Sequence, residues 1–331
     1  MRLTFPRRRT LLIGAAVLTS VGVVAAAGML WWKPWAPRVE VVDPGPSGTR
    51  IDAAGVVGNY YPAEGDPAPG ILVLGGSEGG ISAGADAVAR ALHAEGFSAL
   101  ALRYFGDAGG TTRMSEIPLE IFDRGIDWLA DQPQVLPDRL GVVGGSKGGE
   151  AAVLLGSRRP DLRAVVGLTP SHVVWQGFDL GSPWRSVGST WSSDGVGVPY
   201  LPNGRYSPGG DLVDMYRDGL AALSDHSEAI IPVERSTAPY LLVCGESDIL
   251  WPACAMSQQV AQRAATFGGP PVTVLSYPDS GHLGVGPPVS ADSPSYERLA
   301  DVGGTVEGNA AARADSWPRI VAFLRDHLAT G

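Results

Sequence analysis

Residues 140–157 read LGVVGGSKGGEAAVLLGS: an apolar run, a glycine-rich turn, then an apolar stretch at helical spacing. The turn Gly144-Gly145-Ser146-Lys147-Gly148 has the form G-x-S-x-G. Between a strand and a helix, such a turn is tight enough to hold a serine hydroxyl clear of the backbone, and its small neighbours let the chain pack closely. Working outward, short apolar runs at 71–74, 98–104, 140–143, 164–168, 240–244 and 272–277 alternate with amphipathic patterns at 83–95, 115–131, 147–158, 253–267 and 316–328. Strands that are apolar on both sides, separated by helices, predict a mostly parallel, doubly wound α/β sheet covered on both faces.

The rest of the chain is organised around that domain. Arg7-Arg8-Arg9 precedes an uncharged run from Thr10 to Trp32, the pattern of an export signal or a single membrane anchor over 1–38. Trp31-Trp32-Lys33 at its end reads as an interfacial anchor, and basic residues stay cytoplasmic, so the remainder is expected outside, secreted or tethered to the membrane. Residues 39–69 read as a linker and edge hairpin, with β-like pieces at 38–43 and 55–61, and 70–331 as the catalytic domain. The stretch 171–236, full of Gly, Ser, Pro and Trp, interrupts the alternation and is expected to be a lid-like insertion.

The chain has 331 residues, with 25 Lys+Arg against 34 Asp+Glu. Residues 1–38 carry six of the basic groups and no acid, which leaves the following 293 residues at a net charge of −15. An acidic domain argues against a nucleic-acid partner, which would need a basic face. Two cysteines allow neither a disulfide scaffold nor a four-thiolate metal site. Without an HExxH motif, a paired Cys/His cluster or a dinucleotide fingerprint, no metal and no organic cofactor are expected.

A second G-x-S-x-G, Gly75-Gly76-Ser77-Glu78-Gly79, follows the run ILVL. Helical character resumes only near Ser82 there, whereas it starts immediately after Ser146. Ser146 also has two strands before the candidate acid, as the doubly wound hydrolase order requires, whereas Ser77 would have four. Ser146 is therefore the expected nucleophile. Gly76 and Ser77 are expected in an oxyanion loop, completed by the Lys147 amide. Of five histidines, His282 in PDSGH stands on a loop just past VTVLSY, where a general base belongs; His93, His172, His226 and His327 lack such a context. Asp248 and Glu246 both follow the run at 240–244. Asp248 is preferred, because it sits at a turn and its short side chain holds an imidazole firmly. The order Ser146, Asp248, His282 is that of the α/β-hydrolase triad.

Beyond a generic hydrolase, VGGSKGGEAAVLL, PSHVVWQG (170–177), GESDILWPA (245–253), the 34-residue Asp248–His282 interval and GGTVEGNAAARADSWPRIVAFL (303–324) resemble the catalytic domain shared by type I acyl-CoA thioesterases and bile acid-CoA:amino acid N-acyltransferases. The similarity runs over roughly residues 50–330. It implies an α/β-hydrolase fold, a small-molecule acyl thioester or ester as substrate, and nucleophile, acid and base at Ser146, Asp248 and His282. Conjugating members commonly carry cysteine as nucleophile, so serine favours water as acceptor. Full-length members also carry an amino-terminal β-sandwich domain, for which this chain is expected to have no room. An exported carboxylesterase or lipase-like enzyme, or an acyltransferase, would use the same triad; a non-catalytic binding domain would not need it.

Three further features stand out. Lys147 is the only lysine after residue 33, and a cation in the first turn of a helix opposes its dipole, so a partner such as Glu78 or Glu150 is expected. Trp175, Trp184 and Trp191 crowd the insertion and are expected mostly to pack it. Cys244 and Cys254 bracket Asp248, with a buried strand thiol expected in preference to a disulfide.

Overall fold

The computed structural model describes residues 36–329 together with Met29 and Lys33. The expected export signal or membrane anchor falls almost wholly outside the described residues. The chain divides into two compact units, 1–37 and 38–331. In the first, the Lys33 amide donates to the Met29 carbonyl (2.7 Å) and the Ala36 amide to the Lys33 carbonyl (3.0 Å). Among the described residues no helix is long and apolar enough to cross a membrane.

The second unit is built on eight strands: β1 (Thr49–Ala53), β2 (Val56–Tyr61), β3 (Ala68–Leu74), β4 (Ser98–Leu102), β5 (Val135–Gly145), β6 (Leu162–Leu168), β7 (Tyr240–Gly245) and β8 (Val272–Tyr277). They form one sheet in the order β1-β2-β4-β3-β5-β6-β7-β8. β2 runs antiparallel to β1 and β4, and the other pairings are parallel. This is the α/β-hydrolase fold. The edge hairpin lies at β1–β2, but the β-like piece expected at 38–43 makes only isolated bridges, Arg38 to Thr111 and Val41 to Ile81. With three prolines and glycines in the following Pro44-Gly45-Pro46, that stretch is not able to sustain a ladder.

Successive strand residues face opposite layers, and both layers are apolar. Ile71, Val73, Val143 and Val166 pack with α1 (Ala83–Ala94) and α6 (Val306–Leu328). Leu72, Leu74, Val142 and Val165 pack with α2 (Glu120–Ala130), α3 (Lys147–Gly156) and α5 (Ala253–Phe267). Helix α2 starts later than the pattern at 115–131 implies, because Ile117–Pro118 is drawn out to pair in parallel with Trp191–Ser193 of the insertion. Helix α6 starts ten residues earlier than 316. Its cap is the Thr305 hydroxyl, which accepts from the Gly308 amide, and its first turns are too small-residue-rich to show an apolar period.

Within 171–236, α4 (Leu212–Ala221) is the one α-helix, and short strand pairs knit the remainder to residues 113–118. Trp175 and Trp191 are fully buried there, while Trp184 is 63% exposed. The expectation of an unpaired buried thiol is corrected: Cys244 and Cys254 form a disulfide. The turn after β7 folds back so tightly that the two Cα atoms lie 5.2 Å apart, a separation within the range a disulfide spans.

Candidate active site

Ser146 sits between β5 and α3 with φ 55° and ψ −120°, a conformation unfavourable for a side chain bearing a Cβ. The surroundings enforce it. A Cβ on Gly144 would lie 2.0 Å from the Gly148 carbonyl oxygen, and one on Gly148 would lie 2.3 Å from that of Gly75. Only glycine fits at either position, which is the physical content of the G-x-S-x-G spacing. The Ser146 amide donates to the Leu168 carbonyl (2.8 Å), and the Ser146 carbonyl accepts from Glu150 (3.0 Å), tying the turn to β6 and α3.

His282 lies on the loop after β8 and is 6% exposed. Its Nδ1 is 2.7 Å from Oδ2 of Asp248. The other carboxylate oxygen of Asp248 accepts from the Leu250 (2.8 Å) and Trp251 (3.2 Å) amides, so the buried acid is held in one orientation. The Glu246 side chain is exposed and instead accepts from Ser276 Oγ (2.5 Å). The His282 amide donates to Val302 (3.1 Å), and Trp251 meets the imidazole edge-on at 6.1 Å between centroids. Asn309 of α6 completes this support. Its Oδ1 accepts from the Gly281 amide (2.8 Å), while its Nδ2 donates to the Gly303 and Thr305 carbonyls.

Ser146 and His282 open onto one cavity of about 310 Å³, together with Gly76, Ser77 and Glu78. Gly76 is close to Ser146, since a Cβ built on it would be 3.1 Å from that of Ser146. Tyr104 fixes the Gly75–Ser77 loop from below, its hydroxyl donating to the Gly75 carbonyl at 2.6 Å. Lys147 provides the first amide of α3, at the helix end where amides lack intrahelical partners and the dipole favours negative charge. The remaining wall is mostly aliphatic, including Val73, Val88, Val143, Leu168 and Val302. None of the residues lining this cavity comes from 171–236, so the insertion is not its wall.

The Lys147 side chain turns away from that cavity into the protein. Its Nζ donates to Glu150 Oε2 and Thr190 Oγ1, both at 2.9 Å. Glu150 is the expected partner found; Glu78 instead accepts from Ser82 Oγ (2.7 Å). Glu150 Oε1 also accepts from the Trp175 amide (3.1 Å) and Trp191 Nε1 (2.8 Å). Burial disfavours charge on both partners, pushing the Lys147 pKa down and the Glu150 pKa up. The pair thus clamps the insertion onto α3, the helix that begins at Ser146.

Among the sequence-predicted residues, the fold brings Ser146, His282, Asp248, Gly76, Ser77 and Lys147 to one locality. His172 is buried elsewhere, its pKa pushed down to about 4 by desolvation. Tyr104, Asn309 and Arg313 also support or line the site, and sequence reasoning missed them. Tyr104 ends an apolar strand run, and the other two stand in a helix whose period is blurred by alanines, so no local pattern marks them. Among the described residues no cluster of His, Cys, Asp and Glu suits a metal ion.

The comparisons with known proteins concern the same region. A family profile described as BAAT / Acyl-CoA thioester hydrolase C terminal matches residues 117–330. Human acyl-coenzyme A thioesterase 1 is 27% identical over 276 residues, 81% of this chain and 62% of that protein. Mouse bile acid-CoA:amino acid N-acyltransferase is 28% identical over 294 residues, 87% of this chain and 67% of that protein. The chain therefore spans about three-fifths of the human thioesterase's length. Among solved structures, a puromycin-hydrolysing peptidase of Mycobacterium tuberculosis superposes with a TM-score of 0.56 at 16% identity, over 86% of this chain and 39% of that one. An esterase of Pyrococcus furiosus gives 0.53 at 15% identity, over 89% and 98% respectively. At these identities the structural likeness establishes the fold.

Proposed function

The chain belongs to the BAAT / acyl-CoA thioester hydrolase C-terminal family, and from that premise we propose a serine hydrolase that cleaves acyl thioesters on a Ser146–His282–Asp248 triad. The observation that carries the proposal is the buried His282–Asp248 pair, 2.7 Å apart, opening with the strained Ser146 onto one cavity. His282 takes the Ser146 proton as the hydroxyl attacks the acyl carbonyl. The amides of Lys147 and of the Gly76–Ser77 loop receive the developing oxyanion. His282 then passes the proton to the departing thiol, and the acyl-enzyme remains. Water attacks it with His282 again as base, releasing the acid and restoring Ser146. Asp248 holds the imidazole in the required tautomer and stabilises its cation.

Labelling with a fluorophosphonate probe and turnover of an acyl thioester test this. Wild type is expected to label and turn over, and Ser146→Ala to lose both. Turnover surviving in Ser146→Ala would overturn the assignment, and an unlabelled, inert wild type would point to a binding domain on a hydrolase scaffold.

A second reading, an exported carboxylesterase on the same triad, is favoured by charge and by address. A net charge of −15 over the domain gives no long-range attraction to a polyanionic coenzyme A. The triple arginine and apolar run support export, and a Cys244–Cys254 disulfide suits an oxidising compartment. Comparing kcat/KM on palmitoyl-CoA with that on simple esters separates the two readings.

A further inference from the structure

Arg313 stands on α6, 31 residues after His282 in the chain, yet it lines the same cavity as Ser146 and His282. Two of its nitrogens are committed to the loop after His282: Nε donates to the Pro287 carbonyl and Nη1 to that of Leu283, both at 2.8 Å. The third, Nη2, lies beside Gly286, where an added Cβ would be 3.3 Å away, with Val88 Cγ2 close by. Among the described residues no carboxylate lies within ion-pair distance of this guanidinium. Desolvation pushes its pKa down to about 10, so it stays charged at neutral pH. Glu78, the one acidic residue among those lining the cavity, is exposed and accepts from Ser82 Oγ. Its carboxylate lies beside Gly76, where an added Cβ would be 2.8 Å from Oε2, whereas Arg313 lies beside Gly286.

A cation fixed by two carbonyls with no carboxylate at ion-pair distance, in a mostly aliphatic wall, favours an anion that completes it. Its rigid fork is suited to a planar carboxylate. The space is about 310 Å³, enough for an acyl chain. We infer that the acyl group bound here ends in a carboxylate, and that Arg313 receives it, so that half-esters and half-thioesters of dicarboxylic acids are the preferred substrates. The inference rests on the hydrolase reading above and adds to it the chemistry of the acyl terminus.

The test compares kcat/KM on mono-p-nitrophenyl esters of succinic to sebacic acid with that on the neutral esters of matching length, for example adipate against hexanoate. Wild type, Arg313→Gln and Arg313→Lys are assayed as the full chain. A charge-assisted bond to the terminal carboxylate is expected to give a preference of roughly 10–100-fold at the best length. That preference, read as the ratio of the two esters within each variant, should vanish in Arg313→Gln and survive in part in Arg313→Lys. A ratio near one at every length, or a ratio retained in Arg313→Gln, overturns the inference. So does an equal fall on both esters, which would make Arg313 a clamp on the His282 loop alone. Hexanoyl-CoA against hexanoyl-pantetheine provides the remaining arm: an Arg313-dependent preference there instead would assign the cation to a leaving-group phosphate. Wild type inert on hexanoate and unlabelled by a fluorophosphonate would fell the hydrolase reading itself, an outcome distinct from active enzyme without anion preference.

Discussion

Lys147 and Glu150 form an ion pair at 2.9 Å that is sealed from solvent, in the first turn of the helix that follows Ser146. The pair also satisfies Thr190, Trp175 and Trp191, so a residue beside Ser146 determines how the insertion docks. Its role is to hold α3 and the elbow in place, and its charge does not face the cavity lined by Ser146 and His282.

Removing one partner leaves the other buried and uncompensated. Glu150→Ala is expected to lose about 3–5 kcal/mol of stability, as is Lys147→Met. The double variant Lys147→Met/Glu150→Met should recover only part of this, because the Trp175 amide and Trp191 Nε1 still lack an acceptor. Urea denaturation of the three variants measures the difference, and full recovery in the double variant would contradict it.

Asp248→Asn keeps an oxygen for the Leu250 and Trp251 amides but turns an amide group toward His282 Nδ1. The imidazole is then held in the wrong tautomer, and kcat is expected to fall about 10³–10⁴-fold with the circular dichroism spectrum unchanged. Steady-state kinetics on a p-nitrophenyl ester, at matched folded protein, checks this.

His172 is buried neutral, with its pKa pushed down to about 4 against an ordinary 6.5. Between those values the unfolded chain binds the proton and the folded chain does not. Its contribution is thus fully present above pH 6.5 and is lost as pH falls toward 4, on the order of 3 kcal/mol in total. Denaturation curves from pH 7 to 4.5 should show this slope in wild type and a shallower one in His172→Asn.

The Cys244–Cys254 disulfide closes a loop of sequence separation 10 that contains Asp248. Reduction, or Cys254→Ser, is expected to cost about 2–3 kcal/mol by freeing that loop in the unfolded chain. Activity should fall alongside it, because the acid's backbone is anchored by the same crosslink. Thermal melts and ester turnover with and without dithiothreitol test both parts, and unchanged values would show the crosslink to be dispensable.

Local sequence carried a large share of this protein. The elbow was legible because only glycine fits at positions 144 and 148, against neighbouring carbonyls, a constraint that acts within five consecutive positions. The sheet was legible because strands buried on both faces must be apolar throughout. The order Ser146, Asp248, His282 followed from the sequence of strands. Tertiary structure alone decided which distant groups meet. Arg313 reaches the cavity, Asn309 supports the His282 loop and Tyr104 holds Gly75 only because helix and strand are stacked on one sheet. The disulfide depended on how sharply the chain turns after β7, and the cavity's lack of insertion residues depended on where Glu150 fastens Trp175 and Trp191. Local pattern reports which side of an element is apolar; pairing between elements far apart in sequence is settled by packing, and no short stretch encodes it.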